Sequence, residues 1–202
     1  IAHDYLRGLR RVYRRVMNAI GYFGRYCEGT QVGICTVIYD WNLDELMPLL
    51  EWVDRNDSLS SIIFQVPTQP NSTGVDKEWW KGEHSFLWPK DQDRACNFVD
   101  KLIKFKESCR KIGNSVSQLE AFKLYFLHPE KFIKMTQCNL DRAVFVSAVG
   151  EIFLCYRWDI LGNIRHGDDI RTIWRSAQAE DVRKKIVGCK DNCHFLLNCF
   201  FE

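Results

Sequence analysis

Thr30-Gln31-Val32-Gly33-Ile34-Cys35-Thr36-Val37-Ile38-Tyr39 and, further on, Ser61-Ile62-Ile63-Phe64-Gln65-Val66 are the two stretches that decide the fold of the larger part of the chain. Both are rich in β-branched and aromatic residues, the composition of strands. Both run apolar without alternation, as strands covered on two faces do. Between them, Asn42 stands as an N-cap before Leu43, Leu46, Leu49, Leu50 and Val53, which share one helical face. Pro67 and Pro70 close the second strand, and residues 92–112 return to helical spacing through Cys96, Val99, Leu102, Ile103 and Ile112. Strands and helices in this alternation predict βα units of a parallel sheet. Two such strands make no stable sheet alone, so residues 1–113 are expected to be an incomplete, TIM-like partial barrel.

Working outward, residues 4–20 carry apolar positions at Leu6, Leu9, Val12, Val16 and Ile20, the spacing of one helix. Arg7, Arg10, Arg11, Arg14 and Arg15 fill its other faces and read as a solvated surface rather than a nucleic-acid stripe. Residues 67–91 form a connection far longer than the roughly 2–6 residues usual in βα units. It holds Trp79, Trp80 and Trp88, which are candidate substrate-binding residues at the catalytic face of a barrel, or else a plug of its mouth. Residues 114–135 predict a bridging helix and turn, the helix running from Ser115 to Leu127 through Leu119, Phe122 and Phe126. Residues 136–202 then read as a small α+β, cysteine-rich domain. It has a β-hairpin over 143–155 turning near Gly150, and helices through Ile170, Ile173, Trp174, Val182 and Ile186.

Composition sets limits on function. Hydrophobic residues at 46% and charged residues at 27% are a globular balance with no disorder signature. A net charge of +2 suggests neither a nucleic-acid nor a membrane partner. No apolar run approaches the roughly 18 residues of a membrane span. The sequence opens at Ile1 inside a helix entrance, so a preceding segment is expected.

Nine cysteines are many for this length, and their placement is uneven. Cys27, Cys35, Cys96 and Cys109 are scattered singly, whereas Cys138, Cys155, Cys189, Cys193 and Cys199 gather in the last third. An odd total in a chain of regular helices and strands argues against a secreted disulfide scaffold. Metal binding in a reducing, cytoplasmic compartment is the better reading. The hairpin brings Cys138 and Cys155 to one end, and the following helices can return Cys189 and Cys193 to them. Four thiolates in two separated pairs suit either a four-coordinate zinc or a [4Fe–4S] cluster.

Taken together, Cys138-x11-Gly150-x4-Cys155, the Gly162-Asn163-Ile164 segment, the Ile173-Trp174 pair and Cys189-x3-Cys193-x5-Cys199 resemble the SPASM/Twitch auxiliary-cluster domains of radical SAM enzymes. His3-Asp4-Tyr5-Leu6-Arg7-Gly8 likewise resembles the HDxxRG segment that follows the middle strand of their partial barrel. The resemblance implies an auxiliary [4Fe–4S] cluster held by Cys138, Cys155, Cys189 and Cys193, with Cys199 as a substitute or extra ligand. It implies a parent enzyme that uses S-adenosylmethionine and a second [4Fe–4S] cluster to modify a peptide or small molecule. A reductant such as a flavodoxin or ferredoxin would serve that parent. The signature Cys-x3-Cys-x2-Cys, which binds the cluster that cleaves S-adenosylmethionine, occurs nowhere in these residues. Residues 1–202 are therefore expected to be catalytically incomplete alone, with no catalytic residue of their own. The shortened final run points to the one-cluster Twitch form. A zinc-binding structural or interaction domain without enzymatic activity is the alternative.

Overall fold

The computed structural model describes residues 2–70, 76, 78–131, 138–189, 193 and 197–198. It divides into a unit of Ile1–Phe132 with Leu197–Glu202 and a unit of Ile133–Leu196. The content is mixed helix and sheet. In the first unit, α1 (Ala2–Leu6) and α2 (Val12–Tyr26) precede β1 (Gly33–Val37), α3 (Leu43–Arg55), β2 (Ser61–Gln65), α4 (Gln92–Lys106) and α5 (Val116–Leu127).

The single helix expected over 4–20 is two. Gly8 and Arg11 take left-handed backbone angles, φ 63° and 66°, and break it. Asp4 makes this break useful, because its carboxylate accepts from the backbone N–H groups of Arg11 (2.6 Å) and Tyr13 (2.8 Å). An anionic acceptor on otherwise unpaired donors is favourable at a helix N-terminus. These contacts, the Tyr13 N–H foremost, hold the Asp4 carboxyl below its usual range. The cap is thus present above the ordinary carboxylate pKa and is lost as pH falls through the lowered one.

β1 and β2 pair in parallel, with Gly33 opposite Ser61 and Val37 opposite Gln65. Their apolar runs predicted cover on both faces, and this is corrected by the structure. Ile62, Phe64 and Val66 are fully buried against α3 and α4, with Phe64 and Phe98 rings 5.8 Å apart. On the opposite face Cys35 is exposed and Ile63 is 42% exposed. Among the described residues, the two faces of this sheet are thus unequally covered. Asn42 also departs from its expected role: its side chain accepts from the Tyr39 N–H and donates to the Val37 carbonyl, latching the end of β1 rather than capping α3.

α4 ends at Lys106, earlier than residue 112, because Lys111 and Gly113 leave the helix to hydrogen-bond Ile62. Ile62 accepts from the Gly113 N–H (2.9 Å) and donates to the Lys111 carbonyl (2.8 Å), a one-residue parallel bridge on the far edge of β2. Beyond it that edge is completed by side chains. The Asn114 amide accepts from the Phe64 N–H (2.7 Å) and donates to the Phe64 carbonyl (2.9 Å). The Asn198 amide does the same for Val66, at 2.8 Å in both directions. Asn114 is almost fully buried and also donates to Gln118, whose own amide donates to the Leu197 carbonyl (2.6 Å).

Ser115 caps α5 by accepting from the Gln118 N–H. The helix foreseen as a bridge is packed on α4 inside the first unit, with Leu119, Phe122 and Phe126 fully buried. Replacing Asn114 by Leu strands the Phe64 N–H and carbonyl in the interior, where each unpaired group costs about 1–3 kcal/mol. Urea unfolding followed by tryptophan fluorescence should show Asn114→Leu destabilised by roughly 2–4 kcal/mol. Val116→Ala, at a half-exposed position on the same helix, should stay within roughly 0.5 kcal/mol of the parent chain.

Candidate metal centre

The second unit is built on three short antiparallel strands, β3 (Phe145–Val146), β4 (Glu151–Phe153) and β5 (Gly162–Asn163), followed by α6 (Ile170–Trp174) and α7 (Ala177–Val187). β3 and β4 are the expected hairpin, with Phe145 opposite Phe153 and their rings stacked at 5.8 Å. β5 pairs with β4 through Glu151 opposite Asn163 and Ile152 opposite Gly162.

The spacing glycine of the cysteine motif has a physical reason. Gly150 turns the hairpin at φ 89°, where a side chain is strained. A Cβ there would also stand 2.6 Å from the Asn163 Oδ1 and 2.9 Å from the Arg165 Cγ. Its carbonyl accepts from the Ile164 N–H at 2.8 Å. Asn163 completes the corner, donating to the Val149 carbonyl and accepting from the Arg165 N–H. Gly162 is equally confined, a Cβ there meeting Ile173 Cδ1 at 2.2 Å. The Gly162-Asn163-Ile164 segment is therefore the third strand and its turn, and Ile173 packs over it.

The cysteines sit at the ends of these elements. Cys138 lies just before a 3-10 turn at Leu140–Arg142, and Cys155 two residues beyond β4. α7 packs on that 3-10 turn, and Lys185 of α7 lies 5.5 Å over the ring of Trp158, in the turn that follows Cys155. Ser176 caps α7, and Arg183 stacks 4.1 Å over Trp174, fixing α6 against it. α7 is thereby tied to the chain next to both hairpin cysteines, and Cys189 follows it after Gly188, its N–H bonded to the Ile186 carbonyl.

Cys138, Cys155, Cys189 and Cys193 are all half-buried. Burial is the first cause that pushes the Cys155 thiol upward, opposed by the Arg157 N–H and reinforced by Cys193 and Cys138. Among the described residues no three His, Cys, Asp or Glu side chains form a metal-holding group. The donor set itself, the soft thiols of Cys138, Cys155, Cys189 and Cys193, suits iron–sulfur or zinc chemistry. Cys199, the expected substitute ligand, lies outside the described residues.

Residues 138–199 match the family model of the SPASM iron–sulfur cluster-binding domain. The SPASM match begins at the first hairpin cysteine and ends at the last cysteine of the terminal run, so it spans the candidate ligands as a set. No curated protein and no solved structure gave a significant match to the chain.

Trp79, Trp80 and Trp88 are core residues, 1%, 7% and 6% exposed. They pack edge-on upon one another, and Trp88 meets Tyr125 at 5.0 Å and Phe126 at 5.8 Å. The three rings are thus part of the packed core of the first unit. The amides of Asn114, Gln118 and Asn198 escaped the sequence reading, since a polar residue in a run gives no sign of a strand edge distant in sequence.

Gly150→Ala should destabilise the second unit by about 1–3 kcal/mol, the cost of a non-glycine residue in a strained, crowded turn. Near-ultraviolet circular dichroism from Trp158 and Trp174 would follow its melting, and an unchanged transition would contradict the close packing of Gly150 on Asn163.

Proposed function

We propose that this chain is the C-terminal part of a cytoplasmic radical SAM enzyme, in which residues 138–199 bind an auxiliary [4Fe–4S] cluster. The observation that carries this reading is the family match over the five-cysteine region, in the order Cys138, Gly150, Cys155, Cys189, Cys193, Cys199. Cys138, Cys155, Cys189 and Cys193 are the ligands, with Cys199 as substitute or addition. The parallel β1–β2 pair and its helices are a slice of the partial barrel, and the Trp79, Trp80 and Trp88 cluster backs its substrate wall. The substrate is a peptide or small molecule, and a flavodoxin or ferredoxin is the reductant of the whole enzyme.

When bound, such a cluster supplies a centre that accepts an electron or holds substrate. The chain's own part is to place thiolates and to shape what surrounds them. Gly150 and Asn163 set the hairpin corner. The cation over Trp158 fixes α7 beside Cys155. Half-burial of Cys155 favours its neutral thiol, so ligation must release a proton there. Iron uptake should accordingly weaken as pH falls and strengthen as pH rises, readable from charge-transfer absorbance during anaerobic reconstitution at several pH values.

Single Cys→Ser variants test the ligand set. Loss of the iron–sulfur spectrum is expected for Cys138, Cys155, Cys189 and Cys193, and retention for Cys96 and Cys199. If Cys155→Ser loads iron as well as the parent chain, the ligand assignment fails. A colourless protein that takes up zinc in place of iron would establish the structural alternative. Because Cys-x3-Cys-x2-Cys is not in the sequence, residues 1–202 alone should yield no 5′-deoxyadenosine from S-adenosylmethionine under reducing conditions.

A further inference from the structure

The described residues between Cys193 and Cys199, Leu197 and Asn198, pack into the first unit. Leu197 is fully buried in its core, and its carbonyl accepts from Gln118. Asn198 pairs with both backbone groups of Val66, as a neighbouring strand would. Val66 stands at the C-terminal end of β2, one residue beyond its last ladder pair. Only three residues separate Cys193 from Leu197, and Asn198 is followed directly by Cys199. A segment so short transmits a restraint: whatever fixes the cysteines on either side of Leu197-Asn198 also limits the freedom of that pair.

We infer that Asn198, seated by Leu197, is a positioning residue that latches the terminal cysteine run to the end of β2 and couples cluster loading to closure of the β2 edge. The inference rests on the cluster reading above. Its physics is linkage: a ligand that binds only the closed form stabilises it, and closure in turn strengthens the ligand's hold by the same factor. Restricting the chain near Cys193 lowers the entropy that docking Asn198 must overcome. The amide is suited to this task because it offers one donor and one acceptor in the spacing of a peptide group. An aspartate keeps the acceptor for the Val66 N–H and loses the donor for its carbonyl.

Hydrogen exchange at the Val66 amide reads the latch directly. In the metal-free full chain, Asn198→Ala should speed exchange at Val66 by on the order of tenfold, the worth of an ordinary hydrogen bond. Phe64, held by Asn114, should change far less. Anaerobic loading with iron and sulfide should then slow exchange at Val66 in the parent chain but not in Asn198→Ala, with Asn198→Asp intermediate. The variant should also lose its cluster absorbance faster on exposure to a chelator.

Equal protection of Val66 in the metal-free parent and Asn198→Ala would overturn the latch. Equal slowing of exchange on loading in both chains would overturn the coupling. Absence of cluster absorbance in the parent chain would instead sink the cluster reading and the coupling with it, while the metal-free comparison would still decide whether the latch exists.

Discussion

The far edge of β2 is the constraint on which the first unit depends. A strand with one parallel partner presents a row of unpaired donors and acceptors on its other side, and burying them unpaired is costly. This chain satisfies them in three successive ways: the backbone of Lys111 and Gly113 for Ile62, the Asn114 amide for Phe64, and the Asn198 amide for Val66. Because Phe64 and Val66 are also central to the apolar core, the packing of α3, α4 and α5 presupposes that this edge is closed. A strand-like surface is thus finished with side chains from residues far apart in sequence.

Much of the framework was legible because it is written locally. The period of Leu43, Leu46, Leu50 and Val53 announces α3, and Ser115 before Leu119 and Phe122 announces α5. The β-branched runs announce β1 and β2. What stayed hidden depends on partners elsewhere. The apolar run through Ile62, Ile63 and Phe64 promised two covered faces, but whether a face is covered depends on which elements reach it. The break between α1 and α2 follows from Arg11 and Gly8 adopting left-handed angles while Asp4 bonds Arg11 and Tyr13. Helical periodicity is blind to such a turn.

The cysteine region was legible for a different reason: its information lies in order and spacing rather than in periodicity. Those spacings have structural causes. Gly150 is where it is because a side chain would strike Asn163, and Gly162 because one would strike Ile173. The motif therefore records the crowding of a three-stranded corner as much as ligand chemistry. Trp79, Trp80 and Trp88 carry the opposite lesson. Aromatic rings concentrated in a long loop suggest contact with a substrate, yet Trp79 and Trp80 pack against Trp88, which Tyr125 and Phe126 meet edge to face.

The first unit is discontinuous, closed by residues that follow the whole of the second. Synthesis on the ribosome proceeds from one end, so the order in which parts become available is fixed. The strand edge at Val66 waits for Asn198, and by then the cysteines at 138, 155, 189 and 193 have all been made. A nascent chain would therefore hold its larger core ajar through the interval in which its thiols emerge, and complete both structures late and together.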